Sequence, residues 1–459
     1  MVDVLFVSVP LTITDKAPAA AAILISMIES VGRTGKFYDF NRYVNDDENF
    51  SQYAISDTLP HDKEKFDKDF KYHVQQMIAY NPEYIGISVF SYQCARVAKL
   101  LCVYLRMFAP EIKIILGGQG LSVGGIQGHH LGEEWKKLNL CDYWVVSEGE
   151  WPIVDILIGK HENKKTWNQI EDLDEFPMPN YDSYDWDIYD RSIPITGSRG
   201  CVRRCTFCDI HTHWQKFTFR SGKSIASEMI AQSERYGIYH FSFTDSLING
   251  SMKAYIDMIT VLADHNKTAK TRLTWDGQFI FRPKNQMPEK IWKLSAEAGL
   301  VDVAVGVESL SESVRDHMRK KFSNDDIKYS LYCMKKYGIV GLFLMIVGYV
   351  TEDEDTIQEN KDMFTELAPY ANNTISAVEV GSTLSILPGT PLDDMHKELG
   401  ITLGNHENTW TGKSDVDTRL RWRKEIIEHC IELGYNVPSQ LDQLVDKLEN
   451  QFVGVLQHA

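Results

Sequence analysis

Between Gly197 and His213 the chain reads GSRGCVRRCTFCDIHTH, which puts Cys201, Cys205 and Cys208, three of its eight cysteines, within eight positions. Thiols this close together have ligand spacing, so the fold must present one tight loop on which they converge. Gly197 and Gly200 let such a loop wrap closely, and Phe207 supplies a flat apolar edge beside the last cysteine. Two chemistries fit. Three thiolates can hold three irons of a cubane iron–sulfur cluster and leave the fourth iron open to a bidentate small ligand. Alternatively, His211 joins the three cysteines in a closed Cys₃His zinc site. The remaining cysteines, Cys94, Cys102, Cys141, Cys333 and Cys430, are scattered and read as ordinary core or surface residues.

The pattern around the loop is strand followed by helix, repeated. Ile193–Thr196 is a strand leading into the cysteines. Further strands are expected at Tyr239–Thr244, Arg272–Phe279, Val301–Val307, Leu342–Gly348 and Ser376–Leu384. Helices are expected between them, at Lys223–Tyr236, Met252–His265, Pro288–Ala298, Ser311–Arg319 with Asp325–Tyr337, and Asp353–Ala368. About six such units make a partial (β/α)₆ barrel, whose chemistry sits at the carboxyl ends of the strands. The cysteine loop directly follows the first strand, and this position favours iron–sulfur over zinc.

The alternation also precedes the loop. Val4–Val9, Tyr84–Phe90, Lys113–Leu116 and Asp142–Ser147 are strand-like, with helices at Ala19–Val31, Ala95–Phe108 and from Trp151. This predicts an α/β chain with an N-terminal doubly wound, Rossmann-like parallel sheet. The expected organisation is a first domain over 1–158, a linker over 159–192, the barrel over 193–395 and a small helical C-terminal extension over 396–459. Asp417–Leu433 and Ser439–Phe452 are the helices of that extension. The linker aromatics Tyr181, Tyr184, Trp186 and Tyr189 are expected to pack across a domain boundary.

With 48 lysines and arginines against 64 aspartates and glutamates, the net charge is −16, a poor match for nucleic acid or an anionic membrane. The N-terminus carries Asp3 and no basic run, unlike a signal peptide, and no apolar run reaches the about 20 residues a bilayer requires. A cytoplasmic protein is expected, with its thiols reduced.

Residues 193–391 resemble the radical S-adenosylmethionine (SAM) enzymes, whose CxxxCx(aromatic)C signature stands here as CVRRCTFC. The resemblance implies that Cys201, Cys205 and Cys208 bind a [4Fe–4S] cluster. Its open iron would chelate SAM, with Phe207 near the adenine. Reductive cleavage of SAM would then yield a 5′-deoxyadenosyl radical. FSFTDSLING resembles the second-strand motif and places Asp245 near SAM or substrate. VAVGVESLSESVRDHMRKKF resembles the fourth-strand motif, implying SAM contacts for Glu308 and Ser309, with Lys320 at the motif's lysine. LMIVGYVTEDED and LSILPGTPL resemble the fifth- and sixth-strand motifs, the latter bringing Leu387 close to adenine. Two stretches depart from the pattern: WDGQFIFR has Gln278 where relatives often place an arginine, with Arg282 further on, and VTED replaces PGET.

The order ISVFSYQ, ILGGQG, VVSEGE before such a barrel resembles the cobalamin-binding subfamily over about residues 1–158. That resemblance implies cobalamin between the two domains, near Ser91, Gly117, Gly118, Gly120 and Glu148. It also implies methyl transfer to an unactivated carbon as the leading reaction. The DxHxxG motif that would place a histidine below cobalt is missing, so a cobalamin-free first domain with another radical reaction is the alternative. A zinc-stapled interaction protein is a more distant one. An electron donor such as a flavodoxin or ferredoxin is the implied partner, and the substrate, small molecule or peptide, is not legible.

Overall fold

Apolar runs buried on both faces build the first half of the chain, and strands with alternating burial build the second. The computed structural model describes residues 2–10, 12, 15–55, 60–123, 128–164, 169–381 and 384–438. It divides into two units, Met1–Pro194 with Thr212–Thr218, and Ile195–His211 with Phe219–Ala459. Residues 159–192 thus fall within the first unit.

In the first unit, strands β1 (Val2–Ser8), β2 (Gly35–Asp39), β3 (Pro82–Ser88), β4 (Lys113–Gly117) and β5 (Tyr143–Trp144) form one parallel sheet in the order β2-β1-β3-β4-β5. Val4, Leu5, Phe6 and Val7 are all buried, as a parallel strand covered on both faces requires. Helices α1 (Ala19–Glu29), α2 (Lys63–Ala79), α3 (Ala95–Phe108) and α4 (Glu150–Leu157) cover it, α1 packing beside α4 and α2 beside α3. The strand order reverses between β1 and β3, and a doubly wound sheet opens its ligand crevice at such a reversal, at the strands' carboxyl ends.

Two elements here were not expected, β2 and α2. The helix places Phe66, Phe70, Val74 and Met77 on its buried face. The strand is an edge strand with an apolar side to cover, and the connector covers it. Tyr184 stacks on Phe37 with ring centroids 4.6 Å apart, and the Tyr189 hydroxyl donates to Asp39. The connector aromatics Tyr184 and Tyr189 therefore close the first unit's own sheet. The expected strand Asp142–Ser147 is shorter, because Ser147 takes φ +69° and turns the chain.

The second unit holds a six-stranded sheet in sequential order: β6 (Ile193–Ile195), β7 (His240–Phe243), β8 (Thr274–Phe279), β9 (Leu300–Glu308), β10 (Val340–Met345) and β11 (Ile375–Val380). The neighbours from β7 to β11 pair in parallel. The unit's longer helices include α5 (Gly222–Tyr236), α6 (Met252–Thr268), α7 (Glu289–Glu297), α8 (Glu312–His317), α9 (Asn324–Tyr337) and α10 (Glu354–Leu367). A further helix, α11 (Val416–Glu432), packs on α10 and β11.

Side chains alternate along each strand. On β8, Trp275 and Phe279 face the helices, meeting Tyr255 of α6 and Trp292 of α7. Thr274, Asp276 and Gln278 therefore face the inside of the array. On β9, Val303, Val305 and Val307 are fully buried while Ala304, Gly306 and Glu308 alternate with them on the inner face. The helix expected at Ser439–Phe452 lies outside the described residues. No helix among the described residues is long and apolar enough to cross a membrane.

Candidate active site

The cysteine loop leaves β6 and is tied down at both ends. At its start, Asp245, just past β7, accepts the Gly197 N–H at 2.8 Å and the Ser198 hydroxyl at 2.5 Å. Burial pushes its carboxyl up to about 7 against these hydrogen bonds. Asp245 was expected near SAM or substrate; the structure gives its two oxygens to the base of the loop.

At the other end, Thr206 lies between two cysteines. Its hydroxyl is 2.6 Å from the Tyr349 phenol oxygen, which is 2.8 Å from Nδ1 of His317. Burial lowers the His317 pKa, so the neutral ring can accept the phenol proton. The Thr206 backbone N–H donates to Met318 and its carbonyl accepts from Leu392. This buried network joins the loop to three elements. The sequence reading missed it, because Thr206, His317 and Tyr349 lie far apart in the chain and none is unusual alone.

The three cysteines are free thiols, Cys205 buried and the other two half-buried. The Arg203 N–H donates to Cys201 Sγ at 3.4 Å. Burial raises the Cys205 thiol pKa and pushes that of Cys208 up to about 12; a bound metal would deprotonate them.

Lys320 is a counter-charge to Cys205. Its Nζ lies 3.0 Å from Glu308 Oε1 and 6.0 Å from the centre of the Phe207 ring. Burial opposes its charge, but Glu308, and Cys205 and Cys208 in their thiolate forms, outweigh burial and hold the ammonium above the usual lysine range. The backbone is bent to make this pair. Glu308, Arg319 and Lys321 take φ of +65°, +63° and +59°, a region costly for residues with a Cβ. A Cβ on Gly306 would collide with Glu308 Oε1 and sit 3.1 Å from Lys320 Nζ, so the glycine of GVES is the cradle for the pair.

The structure thus gathers Phe207, Glu308 and Lys320 beside Cys205 and Cys208. Ser309 is directed elsewhere, its hydroxyl donating to Asn360 at 3.3 Å. Leu387 is half-buried in the loop after β11, where its carbonyl accepts from Thr390. Glu352, after β10, accepts the N–H groups of Gly348 and Tyr349 at 2.6 and 2.7 Å, and burial pushes it up to about 7. Arg282, which follows β8, is anchored on the carbonyls of Asn249 and Gly250 and lies beside Arg203.

His211 Nε2 is held 2.5 Å from the Arg203 carbonyl, so this histidine is engaged by the loop's own backbone.

In the first unit the candidate residues lie at the carboxyl ends of β3, β4 and β5. Gly118 has φ +108°, and a Cβ there would collide with the Val89 carbonyl; one on Gly120 would collide with the Ser91 carbonyl. These two glycines let neighbouring loops touch backbone to backbone. Gly117 differs, since a Cβ there would meet nothing within 4 Å. Ser91 Oγ is 3.5 Å from Cys94 Sγ, and Glu148 accepts the Ile170 N–H. Phe90 and Tyr92 stand exposed on the loop after β3.

A parallel strand–helix array with a three-cysteine loop after its first strand defines the class. Residues 195–364 match the model of the radical SAM superfamily, so this stretch of the chain is a radical SAM domain. The domain implies a [4Fe–4S] cluster and SAM. Curated relatives include an uncharacterised methyltransferase of Pyrococcus horikoshii, 26% identical over 49% of this chain and 49% of its own length. The anaerobic magnesium-protoporphyrin IX monomethyl ester cyclase of Rubrivivax gelatinosus is 24% identical over 50% and 40%. The bacteriochlorophyllide d C-12(1)-methyltransferase of Chlorobaculum tepidum is 26% identical over 53% and 52%. The chain thus spans about half the length of these relatives.

Two solved structures share the fold over about nine-tenths of this chain. The radical SAM methyltransferase TsrM of Kitasatospora setae, with cobalamin and a [4Fe–4S] cluster bound, matches with TM-score 0.65 at 16% identity, over 89% of this chain and 81% of its own. The cobalamin-dependent radical SAM enzyme OxsB matches with TM-score 0.66 at 15% identity, over 92% and 66%. The doubly wound sheet followed by a radical SAM domain is therefore an α/β architecture shared with both.

Proposed function

We propose that this protein is a radical SAM enzyme that methylates an unactivated carbon with the help of cobalamin. The observation that carries the reading is the Lys320–Glu308 pair, set by strained backbone against Phe207 and the cysteine loop at the mouth of the parallel array. Bound together, the cluster and SAM supply a carbon radical able to take hydrogen from an unactivated carbon. The chain's residues hold and orient. Cys201, Cys205 and Cys208 ligate the cluster, Phe207 offers a face for adenine, and Lys320 and Glu308 hold the polar part of SAM.

Methyl transfer is supported by the names of two curated relatives and by TsrM. Cobalamin is supported by the shared fold with TsrM and OxsB and by the open space above Gly117. A second reading, a cobalamin-free first domain with another radical reaction, draws on Gly118, Gly120 and Glu148, whose roles in packing need no ligand. One of the curated relatives is named a cyclase, which supports a reaction other than methyl transfer. A small flavodoxin or ferredoxin would supply the electron, and the cytoplasm, where the chain's free thiols stay reduced, is its proposed location.

The test is anaerobic reconstitution with iron, sulfide and hydroxocobalamin, then addition of SAM and dithionite. The expected results are near-stoichiometric cobalt and formation of 5′-deoxyadenosine. A cluster-loaded protein that leaves SAM intact would overturn the reading, and SAM cleavage by a protein that takes up no cobalt would favour the second.

A further inference from the structure

Three arginines of the second unit, Arg315, Arg419 and Arg423, are at most 1% exposed. Arg315 donates to the carbonyls of Phe322 and Ser309 and to Asn324. Arg419 donates to the carbonyls of Ser414, Asn408 and Trp410, and its guanidinium lies 3.7 Å from the centre of a Trp410 ring. Only its Nε lacks an acceptor. Arg423, one turn further along α11, is different. Its Nη2 donates to the Val380 carbonyl at 3.1 Å, while Nε and Nη1 have no acceptor among the described residues. Burial lowers its pKa.

A buried guanidinium with most of its N–H groups unmet is expensive. An apolar residue of similar volume would stabilise the fold more. Such a group is understandable when it belongs to a binding site, where stability is given up for function. Its place supports this. Val380 is the last residue of β11, at the carboxyl end of the array, where strand–helix barrels carry out their chemistry. A guanidinium also suits an oxyanion, since it presents several N–H donors in one plane.

We infer that Arg423 binds an anionic group of the substrate, a carboxylate or a phosphate, at the carboxyl end of β11. The inference rests on the reading above, that substrate reacts at this end of the array. SAM also carries a carboxylate, so the test must separate the two sources.

Inorganic phosphate serves as the probe, on the full-length, cluster-loaded protein. In the wild type, phosphate should raise Tm saturably above a chloride control of equal ionic strength. Arg423→Met should lose this response while its phosphate-free Tm stays level or rises, because an unpaired buried charge has been removed. Arg423→Lys should keep part of it. A wild type with no saturable response would overturn the inference, as would a response that survives in Arg423→Met. So would an Arg423→Met protein whose phosphate-free Tm falls by several degrees, the mark of a purely structural arginine. SAM affinity, measured by equilibrium dialysis, is the last arm. If Arg423→Met weakens SAM by about tenfold or more and SAM competes with phosphate, the anion is SAM's own and the substrate assignment falls. The phosphate arm needs no turnover. Failure of SAM cleavage therefore leaves it standing, and loss of the phosphate response leaves the proposed reaction standing.

Discussion

Glu308 carries a backbone conformation that a side chain rarely adopts, and it does so at the end of a strand whose register shifts between Gly306 and Glu308. Strain of this kind costs on the order of 1–3 kcal/mol per residue and persists where surrounding structure enforces it. What it achieves is the short contact with Lys320. Lys320→Met would leave the Glu308 carboxylate nearly buried and unpaired, and should cost about 3 kcal/mol of stability. Adding Glu308→Gln should restore part of it, as a double-mutant cycle by denaturant unfolding would show, and SAM affinity should fall in both single variants. Additive losses would mean that the two groups do not act as a pair. The other buried carboxyls make a prediction about pH. Glu352 and Asp245 are each pushed up to about 7 by burial, above their unfolded values near 4. A carboxyl that binds its proton more tightly when folded contributes stability that is full below about pH 4 and fades as pH rises toward 7. Glu352→Gln keeps an acceptor for the Gly348 and Tyr349 N–H groups and removes the titration. Its Tm should exceed that of the wild type at pH 8 and approach it at pH 5. A variant less stable at both would show that the carboxylate is held ionised.

Elements in the second unit fit because backbones come close at chosen points. Gly222 opens α5, and a Cβ there would collide with the Ala254 carbonyl and lie 2.9 Å from Cβ of Asp257, both on α6. Gly222→Ala should push the two helices apart and cost several times the about 1 kcal/mol expected from Ser323→Ala, which removes only the capping box of α9. Chemical denaturation of the two variants measures the ratio, and similar losses would refute the close-packing account. How much of this was legible follows from the same physics. Strands covered on both faces give continuous apolar runs, which make β1, β3 and β4 legible within a few residues; β9 and β10, whose burial alternates, are legible to the same precision. Helix α3 was read at its observed bounds. Helix α2 was overlooked although Phe66, Phe70, Val74 and Met77 recur at helical spacing, because charges surround them. In the site, Cys201, Cys205, Cys208, Phe207, Glu308 and Lys320 stand in motifs. Tyr349, His317 and Arg423 do not. Their roles arise only when separate elements meet, and an arginine on an amphipathic helix ordinarily faces water.

Across the whole chain, the two sheets differ in a way that matters for ligands. The second runs β6 to β11 in sequence and carries its polar groups on the inner face and at the carboxyl ends. The first reverses direction between β1 and β3, so it has a crevice of its own. Whether that crevice holds cobalamin can be asked without disturbing the fold, because the glycines at its rim are not equivalent. Gly118 cannot be enlarged, since a side chain would enter the Val89 backbone and φ is +108°. Loss of cobalt from a Gly118 variant would therefore say nothing about ligand contact. Gly117 has ordinary backbone geometry and nothing within 4 Å of an added Cβ, so a side chain can start there without meeting its neighbours. Gly117→Phe should keep the wild-type Tm and circular dichroism and still assemble its cluster, while cobalt after reconstitution with hydroxocobalamin falls from near one per chain to a small fraction. If cobalt stays near one per chain, the corrinoid does not lie over β4. If the wild type takes up none, the first domain serves another purpose, and the exposed Phe90 and Tyr92 beside it become the place to look for that purpose.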